Sequence, residues 1–278
     1  MFTDFDYAEK IFCKYLDLPN RKDYEQLEME AMNSQSPSAY YFMGYILYYG
    51  IGVERNISLA SVYLEEAIKF SGSISPYEKR IYKSFELMAW ICESGDLGKE
   101  YYEKAILLYK EAIKGDNAYF SYERLGFLFY WGKGCECDYI KAFNYFNIAS
   151  EGKRGLSYYY IGVMYRDAIG IEGNIEKAIE NFSYAADEGN EDAMSCLGYM
   201  YSKYYNSWKT DVSLSINYYL QLTKLDSERA QRMGWYGMGL TYLESENIND
   251  KELALEYLDR AAELGSVQAM DLLNSILR

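Results

Sequence analysis

Small and hydrophobic residues recur along the chain at a fixed set of distances. Gly162 is followed after 16 positions by Ala178, and after seven more by Ala185. The same spacing fits three other triplets: Gly44, Ala60 and Ala67; Ala89, Ala105 and Ala112; and Gly126, Ala142 and Ala149. Changed by one residue, it also fits Gly198, Ser215 and Leu222, and Gly239, Ala254 and Ala261. Applied 36 residues before Gly44, the spacing falls on Ala8, Tyr24 and Ala31, a degenerate first copy. Seven copies of one spacing indicate a repeat protein.

Each copy is predicted to form two helices. Residues seven positions apart lie about two turns apart, so the later two small residues of a copy share one face of its second helix. The first small residue falls within the first helix, where a Gly costs about 1 kcal/mol relative to Ala. Such a residue recurs where a neighbouring element approaches closely. No segment alternates hydrophobic and polar residues over a strand's length, so no strands are predicted.

Glycines mark the predicted turns and helix ends. The segment Gly50-Ile51-Gly52 separates the two helices of one copy, and Gly132-Lys133-Gly134 separates those of another. Neither is followed by the frame of a phosphate-binding loop, so both are interpreted as turns. Four copies close on glycines that suit the left-handed position ending a helix: Gly115, Gly152, Gly189 and Gly265.

The repeat predicts an all-α architecture, a right-handed α-α superhelix (solenoid) of about seven helix-turn-helix repeats plus a C-terminal cap helix. We expect one domain over residues 1–278. Within it, residues 1–37 form the degenerate first repeat, residues 38–265 form six repeats, and residues 266–278 form the cap helix. The distance from Ala60 to Ala105 is 45 residues instead of about 36, which predicts a longer connection near residues 69–80.

The residues at these positions resemble the Sel-one-like repeat (SLR) family, a relative of the tetratricopeptide repeat. The resemblance is carried by Ile161-Gly162 with Tyr165, by Lys177-Ala178, and by Ala185-Ala186 with Gly189. It is strongest over residues 157–189, 121–152 and 39–68. Ala168, Tyr204 and Ser245 replace the turn glycine of the pattern. The resemblance implies a TPR-like solenoid that is, as a rule, non-catalytic. Its members include adaptors in assembly, degradation and signalling, and bacterial host-interaction factors and immunity proteins.

Composition narrows the function further. The chain contains 33 Tyr and no His. The absence of His excludes Ser-His-Asp and Cys-His nucleophile systems and His metal ligands. Cys135-Glu136-Cys137 lacks the second half of a zinc site. The acidic pairs Glu65-Glu66 and Glu28 with Glu30 are typical of solvated helix faces. We therefore expect no enzyme activity, no cofactor, no metal and no small-molecule substrate, and a carboxylate hydrolase is the rival class.

Charge indicates the kind of partner. The formal net charge is −14 and the pI is near 4.6, so nucleic acid and anionic membranes would be repelled and a basic protein attracted. The first residues lack a basic region followed by an apolar one, and no apolar run approaches the ~18 residues of a membrane span. The five Cys are scattered, as in a reducing compartment. We expect a cytoplasmic location.

Aromatic residues mark the concave face of the predicted first helices. The predicted partner-binding residues of this groove are Tyr41, Tyr45, Tyr48, Trp90, Phe127, Tyr130, Trp131, Tyr159, Tyr160, Tyr199 and Tyr236. Phe42 and Tyr49 project to the same face. The acids predicted to steer a basic partner are Glu86, Glu93, Glu123 and Asp167. Tyr and Trp bury large areas at low entropic cost. The alternative is that some of these aromatics pack between repeats.

Two functions fit such a groove. The first is a non-catalytic cytoplasmic inhibitor that binds a partner protein, such as an immunity protein neutralising a toxin or effector. The second is an adaptor that links components of an assembly or signalling complex. The absence of a recognisable second domain favours the inhibitor slightly, because an adaptor usually carries a further attachment site.

Overall fold

The computed structural model describes residues 4–70, 80–98, 100–202, 210–243 and 248–276. Within these ranges the chain forms fifteen α-helices and no strand. The first eight helices are α1 (Asp4–Asp17), α2 (Arg21–Ser34), α3 (Pro37–Tyr49), α4 (Ile57–Lys69), α5 (Arg80–Ser94), α6 (Tyr102–Ala112), α7 (Tyr119–Trp131) and α8 (Tyr139–Ser150). The others are α9 (Gly155–Asp167), α10 (Ile175–Asp187), α11 (Glu191–Tyr201), α12 (Val212–Thr223), α13 (Glu228–Leu243), α14 (Ile248–Glu263) and α15 (Val267–Ile276).

The chain folds into two compact units. Unit 1, Met1–Gly152, contains the helix pairs α1–α2, α3–α4, α5–α6 and α7–α8. Unit 2, Lys153–Arg278, contains the pairs α9–α10, α11–α12 and α13–α14, followed by the single helix α15. The described residues thus confirm the seven predicted helix pairs and the final cap helix. Most of the longer connection predicted near residues 69–80 lies outside the described residues. The prediction of one continuous domain stays a prediction.

In five helix pairs, a large side chain of the second helix packs onto the glycine of the first helix. A Cβ placed on Gly126 would lie 2.7 Å from Cδ1 of Phe146, a side chain that is fully buried. The same arrangement recurs in four other pairs: Gly44 with Leu64, Gly162 with Phe182, Gly198 with Tyr219, and Gly239 with Leu258. The close approach of a ring or branched side chain therefore explains why a glycine recurs within these helices.

One pair uses Ser where other copies have Ala. The Ser215 hydroxyl of α12 donates to the carbonyl oxygen of Gly198 on α11 at 2.7 Å. Both residues are buried. A small hydroxyl therefore fits the nesting position because its polar atom is satisfied across the pair.

The helix ends confirm part of the turn prediction and correct the rest. Gly189 and Gly265 have positive φ, whereas Gly115 and Gly152 do not. A Cβ on Gly152 would meet the ring of Tyr119 at 2.4 Å, so close packing is the reason for this glycine. Ala168 ends α9 with φ 54° and keeps the left-handed turn without glycine. The other two substituted turn positions, Tyr204 and Ser245, lie outside the described residues.

Second helices begin at a repeated polar cap. In four of these helices the N-cap side chain accepts a hydrogen bond from the backbone N–H three residues later. These caps are Asn56, Asp138, Asn174 and Asp211. An N-cap of this kind contributes about 1 kcal/mol to helix stability. In the part of the chain that is described, no helix combines the length and apolar character that crossing a bilayer requires.

Substituting Gly126 by Ala is expected to lower the free energy of unfolding by about 1–3 kcal/mol, because the added Cβ overpacks the Phe146 ring. Chemical denaturation measures the loss. The double variant Gly126→Ala/Phe146→Leu should lose less than the sum of the single variants, since the smaller side chain makes room. Strict additivity would show that the two residues do not clash.

Candidate functional site

The structure brings four of the predicted groove aromatics together in one cavity of unit 1. The cavity measures about 460 Å³ and opens between α3 and α5. Its lining residues are Tyr41, Tyr45, Tyr48, Tyr49, Lys83, Glu86, Leu87, Trp90 and Phe120. We refer to it as the tyrosine cavity. Residues three, four and seven apart share a helix face, which is why four of the five Tyr of α3 face the same space.

The rings of α3 are inclined to one another. The centroids of Tyr41 and Tyr45 lie 6.1 Å apart at an interplanar angle of 50°. Tyr45 and Tyr49 lie 4.6 Å apart at 49°, and Tyr48 meets Tyr49 at 4.8 Å and 84°. Rings set at these angles present both faces and edges to the cavity.

Hydrogen bonds inside unit 1 hold the side chains of Tyr48 and Trp90 in place. The indole Nε1–H of Trp90 donates to the Tyr48 hydroxyl, and that hydroxyl donates to Oδ2 of Asp96, both at 2.9 Å. Arg55 pairs with Asp96 at 3.3 Å and its Nε donates to the Tyr48 carbonyl oxygen at 2.9 Å. Burial, followed by the hydrogen bond to Asp96, raises the pKa of Tyr48. Tyr48 is only 6% exposed, so it supports the cavity wall more than it offers contact area.

On α7, Arg124 lies against both Trp90 and the predicted aromatic residue Phe127. The guanidinium carbon of Arg124 lies 5.4 Å from the centre of the Trp90 ring and 4.5 Å from that of Phe127. Phe127 and Trp131 lie 6.4 Å apart, and Trp131 is 54% exposed. Tyr130 is buried. Phe127 and Trp131 therefore form what we call the α7 aromatic surface.

Burial corrects the predicted roles of several groove residues. Phe42 is fully buried and stacks on Phe12 with centroids 4.1 Å apart, so it belongs to the core. Glu93 and Glu123 are also buried, although steering a partner requires charges exposed to solvent. The side chain of Glu93 turns inward, where it pairs with Arg124 and accepts the Tyr109 hydroxyl at 2.9 Å.

The other two predicted steering acids are paired. The Glu86 carboxylate accepts hydrogen bonds from Lys83 Nζ and from the Ser121 hydroxyl, each with 2.7 Å between donor and acceptor. The Glu86 side chain is 14% exposed. Asp167 pairs with its neighbour Arg166 at 2.7 Å and is 41% exposed. Among the predicted acids, Glu86 lies in the cavity wall and Asp167 is the most accessible.

The predicted aromatics of unit 2 lie on three first helices. Tyr159 and Tyr160 have centroids 5.5 Å apart, and Tyr159 also packs on Phe182 at 5.9 Å. Tyr199 is 46% exposed. Tyr236 lines a separate cavity of about 420 Å³ together with Arg229, Arg232, Met233, Gly265, Ser266, Val267 and Gln268. The prediction that these aromatics line one groove together with those of unit 1 stays a prediction.

Sequence reasoning missed three residues of the tyrosine cavity: Lys83, Leu87 and Phe120. Lys83 lies one turn before Glu86 on α5, and Leu87 follows Lys83 by four positions. Helical spacing from the predicted Glu86 and Trp90 could have found Lys83 and Leu87. For Phe120 the signal was its spacing of three and seven positions from Glu123 and Phe127 on α7. Within the described residues, no group of three or more Cys, Asp or Glu is placed to hold a metal ion.

Alkaline pH is expected to destabilise the protein through its tyrosines. Burial raises the pKa of Tyr159 to about 12 and raises that of Tyr109 well above its ordinary value. The unfolded chain releases these protons at about pH 10, before the folded chain does, so folding stability falls as pH rises above that value. Thermal melts should show the melting temperature declining between about pH 10 and 12. Tyr159→Phe should flatten part of the decline, and a melting temperature constant to about pH 12 would contradict the prediction.

Comparison with known proteins places this architecture among repeat proteins. The family model described as Sel1 repeat matches residues 37–69, 87–117, 120–153, 155–190 and 231–266, which is more than half of the chain. The pairs α1–α2 and α11–α12 lie outside these matches, although the structure shows both as helix pairs. The spacing of small residues was therefore the signal that located these two copies.

Curated relatives and solved structures agree with the family match. The rat and mouse proteins named "Protein sel-1 homolog 2" are each 32% identical over 105 residues, a segment covering 38% of this chain and 15% of theirs. The chain thus matches only a small part of these relatives.

Two solved structures show the fold. A protective antigen of uropathogenic Escherichia coli displaying an SLR fold superposes with a TM-score of 0.75 at 18% identity, covering 92% of this chain and 51% of that one. A Sel1 repeat protein from Oxalobacter formigenes gives a TM-score of 0.67 at 17% identity, with coverage of 93% and 99%. The predicted fold class, an all-α solenoid of helix pairs, is confirmed.

Proposed function

Because the chain belongs to the Sel1 repeat family, whose repeats are protein-interaction modules, we propose that it binds a partner protein through the tyrosine cavity and the α7 aromatic surface. The observation that carries this proposal is the convergence of Tyr41, Tyr45, Tyr49 and Trp90 on one open cavity. Interfaces draw most of their energy from a few aromatic or Arg anchors seated in such concave places.

Rigidity supports the same proposal. Trp90 is fixed by its hydrogen bond to Tyr48, and Tyr48 by its hydrogen bond to Asp96. A side chain that is already ordered in the free protein loses less entropy when a partner covers it. Tyr49 and Trp131, each 54% exposed, supply accessible ring area beside these fixed rings.

Charge supports a basic partner. The net charge of −14 repels polyanions and accelerates association with a basic protein. We propose that the interaction takes place in the cytoplasm, that it requires no cofactor, and that the chain acts by binding and not by catalysis.

We propose further that the chain holds its partner stoichiometrically, as an inhibitor such as an immunity protein would. An adaptor is the second candidate. Unit 2 favours it, because the separate cavity lined by Tyr236, Arg229 and Arg232 offers a different chemistry for a second client. The two functions differ in whether one or two proteins bind each chain.

Affinity capture from native cell extract tests the proposal. The chain and its Tyr45→Ala variant serve as baits, with Leu107→Ala as the matched control because Leu107 is 65% exposed and lies outside the cavity. The partner should be retained by the chain and by the control, and lost from the Tyr45 variant at unchanged melting temperature. Equal capture by all three would refute binding at the cavity.

The captured partner then separates the two functions. An inhibitor forms an equimolar complex in which the activity of the partner is lost. An adaptor leaves that activity intact and binds a second protein at the same time, and the second interaction should depend on Tyr236.

A further inference from the structure

The tyrosine cavity combines aromatic faces with a carboxylate. The rings of Tyr41, Tyr45, Tyr49 and Trp90 supply the faces, and Glu86 lies in the wall beside Lys83. The faces of aromatic rings carry partial negative charge and attract cations within about 6 Å. The carboxylate of Glu86 adds a full negative charge at the same place. The cavity is therefore electrostatically suited to a cation.

Two of the rings that line this cavity already contact cations of the same chain. The Arg124 guanidinium carbon lies 5.4 Å from the centre of the Trp90 ring. The guanidinium carbon of Arg55 lies 5.2 Å from the centre of the Tyr48 ring. Both contacts use guanidinium groups, which stack on aromatic rings more readily than ammonium groups do.

In the free protein, Lys83 forms an ion pair with the Glu86 carboxylate. Its Nζ lies 2.7 Å from Oε1 of Glu86, yet the Lys83 side chain remains 43% exposed. Because the ammonium keeps this contact with solvent, we expect the ion pair to contribute little to stability and to open readily. Ser121 donates to the other oxygen of Glu86 at 2.7 Å and holds the carboxylate in the wall when Lys83 leaves.

We propose that the tyrosine cavity takes an arginine side chain of the partner, whose guanidinium stacks on the tyrosine rings and displaces Lys83 from Glu86. The proposal rests on the proposed function and names the chemistry that the same site recognises. An apolar side chain would remove water from the Lys83–Glu86 pair without offering either charge a new interaction, which is unfavourable. An arginine replaces the lost ammonium with a planar donor group that matches the carboxylate. At about 460 Å³, the cavity has the size of typical ligand pockets and admits a long side chain.

Two small probes test this without the partner. N-acetyl-arginine amide and N-acetyl-citrulline amide have nearly the same shape, but only the first is charged. Both are titrated into the ¹⁵N-labelled full chain, and the indole N–H signal of Trp90 reports on the cavity because it is bonded to Tyr48. The arginine probe should bind at least about fivefold more tightly than the citrulline probe. Equal affinities, or no shift of the Trp90 signal with the arginine probe, would overturn the proposal.

Two substitutions should move the arginine affinity in opposite directions. Lys83→Met removes the competing ammonium while keeping an unbranched side chain of similar length, and should tighten arginine binding about threefold or more. Glu86→Gln should weaken it about fivefold or more while the citrulline affinity stays constant. Lys104→Met is the matched control. Lys104 forms an exposed ion pair with Glu65, with 3.2 Å between the charged atoms, and neither residue lines the cavity. An unchanged arginine affinity in folded Lys83→Met would overturn the displacement of Lys83.

These measurements separate the two proposals. If the arginine probe binds as expected but the partner is captured equally by the Tyr45→Ala variant, the cavity recognises arginine and the proposed function is wrong. If the partner depends on Tyr45 while the probes bind equally, the proposed function stands and the arginine recognition is wrong.

Discussion

Replacing Glu93 by Gln is expected to lower the free energy of unfolding by about 3 kcal/mol, because it leaves the charge of Arg124 without its partner in the interior of unit 1. The Glu93 carboxylate accepts Arg124 Nε at 3.1 Å and the Tyr109 hydroxyl at 2.9 Å. The side chains of Glu93 and Arg124 are 5% and 14% exposed, so water compensates little for the loss. Chemical denaturation with a constant m-value measures the effect.

A double substitution provides the control. Arg124→Met removes the guanidinium together with its charge, so Glu93→Gln/Arg124→Met should recover a large part of the stability that Glu93→Gln loses. Tyr109→Phe removes only the hydroxyl and should cost about 1.5–3 kcal/mol, as expected for a hydrogen bond to a charged group. A loss of under about 1 kcal/mol in Glu93→Gln would show that solvent reaches Arg124 in place of the carboxylate.

The spacing of small residues predicted the helix pairs and a close approach at the first small residue, but not which side chain approaches it. Gly162, Ala178 and Ala185 located two helices, and the structure confirms α9 and α10 around them. The third participant is Phe182, whose ring would meet a Cβ on Gly162 at 2.8 Å. It lies 20 residues after Gly162, as Phe146 lies 20 residues after Gly126. A large residue at that distance was readable in the sequence, but its contact with the glycine depends on how the two helices cross.

The candidate site was predictable where one helix determined it. Tyr41, Tyr45 and Tyr48 share a face of α3 by spacing alone, and the structure brings them to one cavity. Glu93 was assigned wrongly because its position depends on two other helices. It lies on α5, while the groups that turn it inward are Tyr109 on α6 and Arg124 on α7. Periodicity within one helix does not identify the partners that neighbouring helices supply.

Trp131→Ala is expected to weaken partner binding by about 2–4 kcal/mol, which corresponds to a loss of roughly 30- to 1,000-fold in affinity. Trp131 is 54% exposed at the end of α7, so the free chain gains little from burying it. Its removal should therefore change the free energy of unfolding by less than about 1 kcal/mol. Calorimetric titration with the captured partner and parallel denaturation curves measure the two quantities.

Trp90→Ala is the informative comparison for Trp131→Ala, because the structure gives Trp90 a second role. Its indole donates to Tyr48, and its ring is covered on one side by Arg124. Trp90→Ala should therefore weaken binding and also destabilise unit 1, whereas Trp131→Ala should weaken binding alone. Normal binding by both variants would exclude the cavity and the α7 aromatic surface as the interface. Unfolding of Trp131→Ala would instead show that its exposed ring is required for packing, because an anchor that serves only the partner leaves the free protein intact.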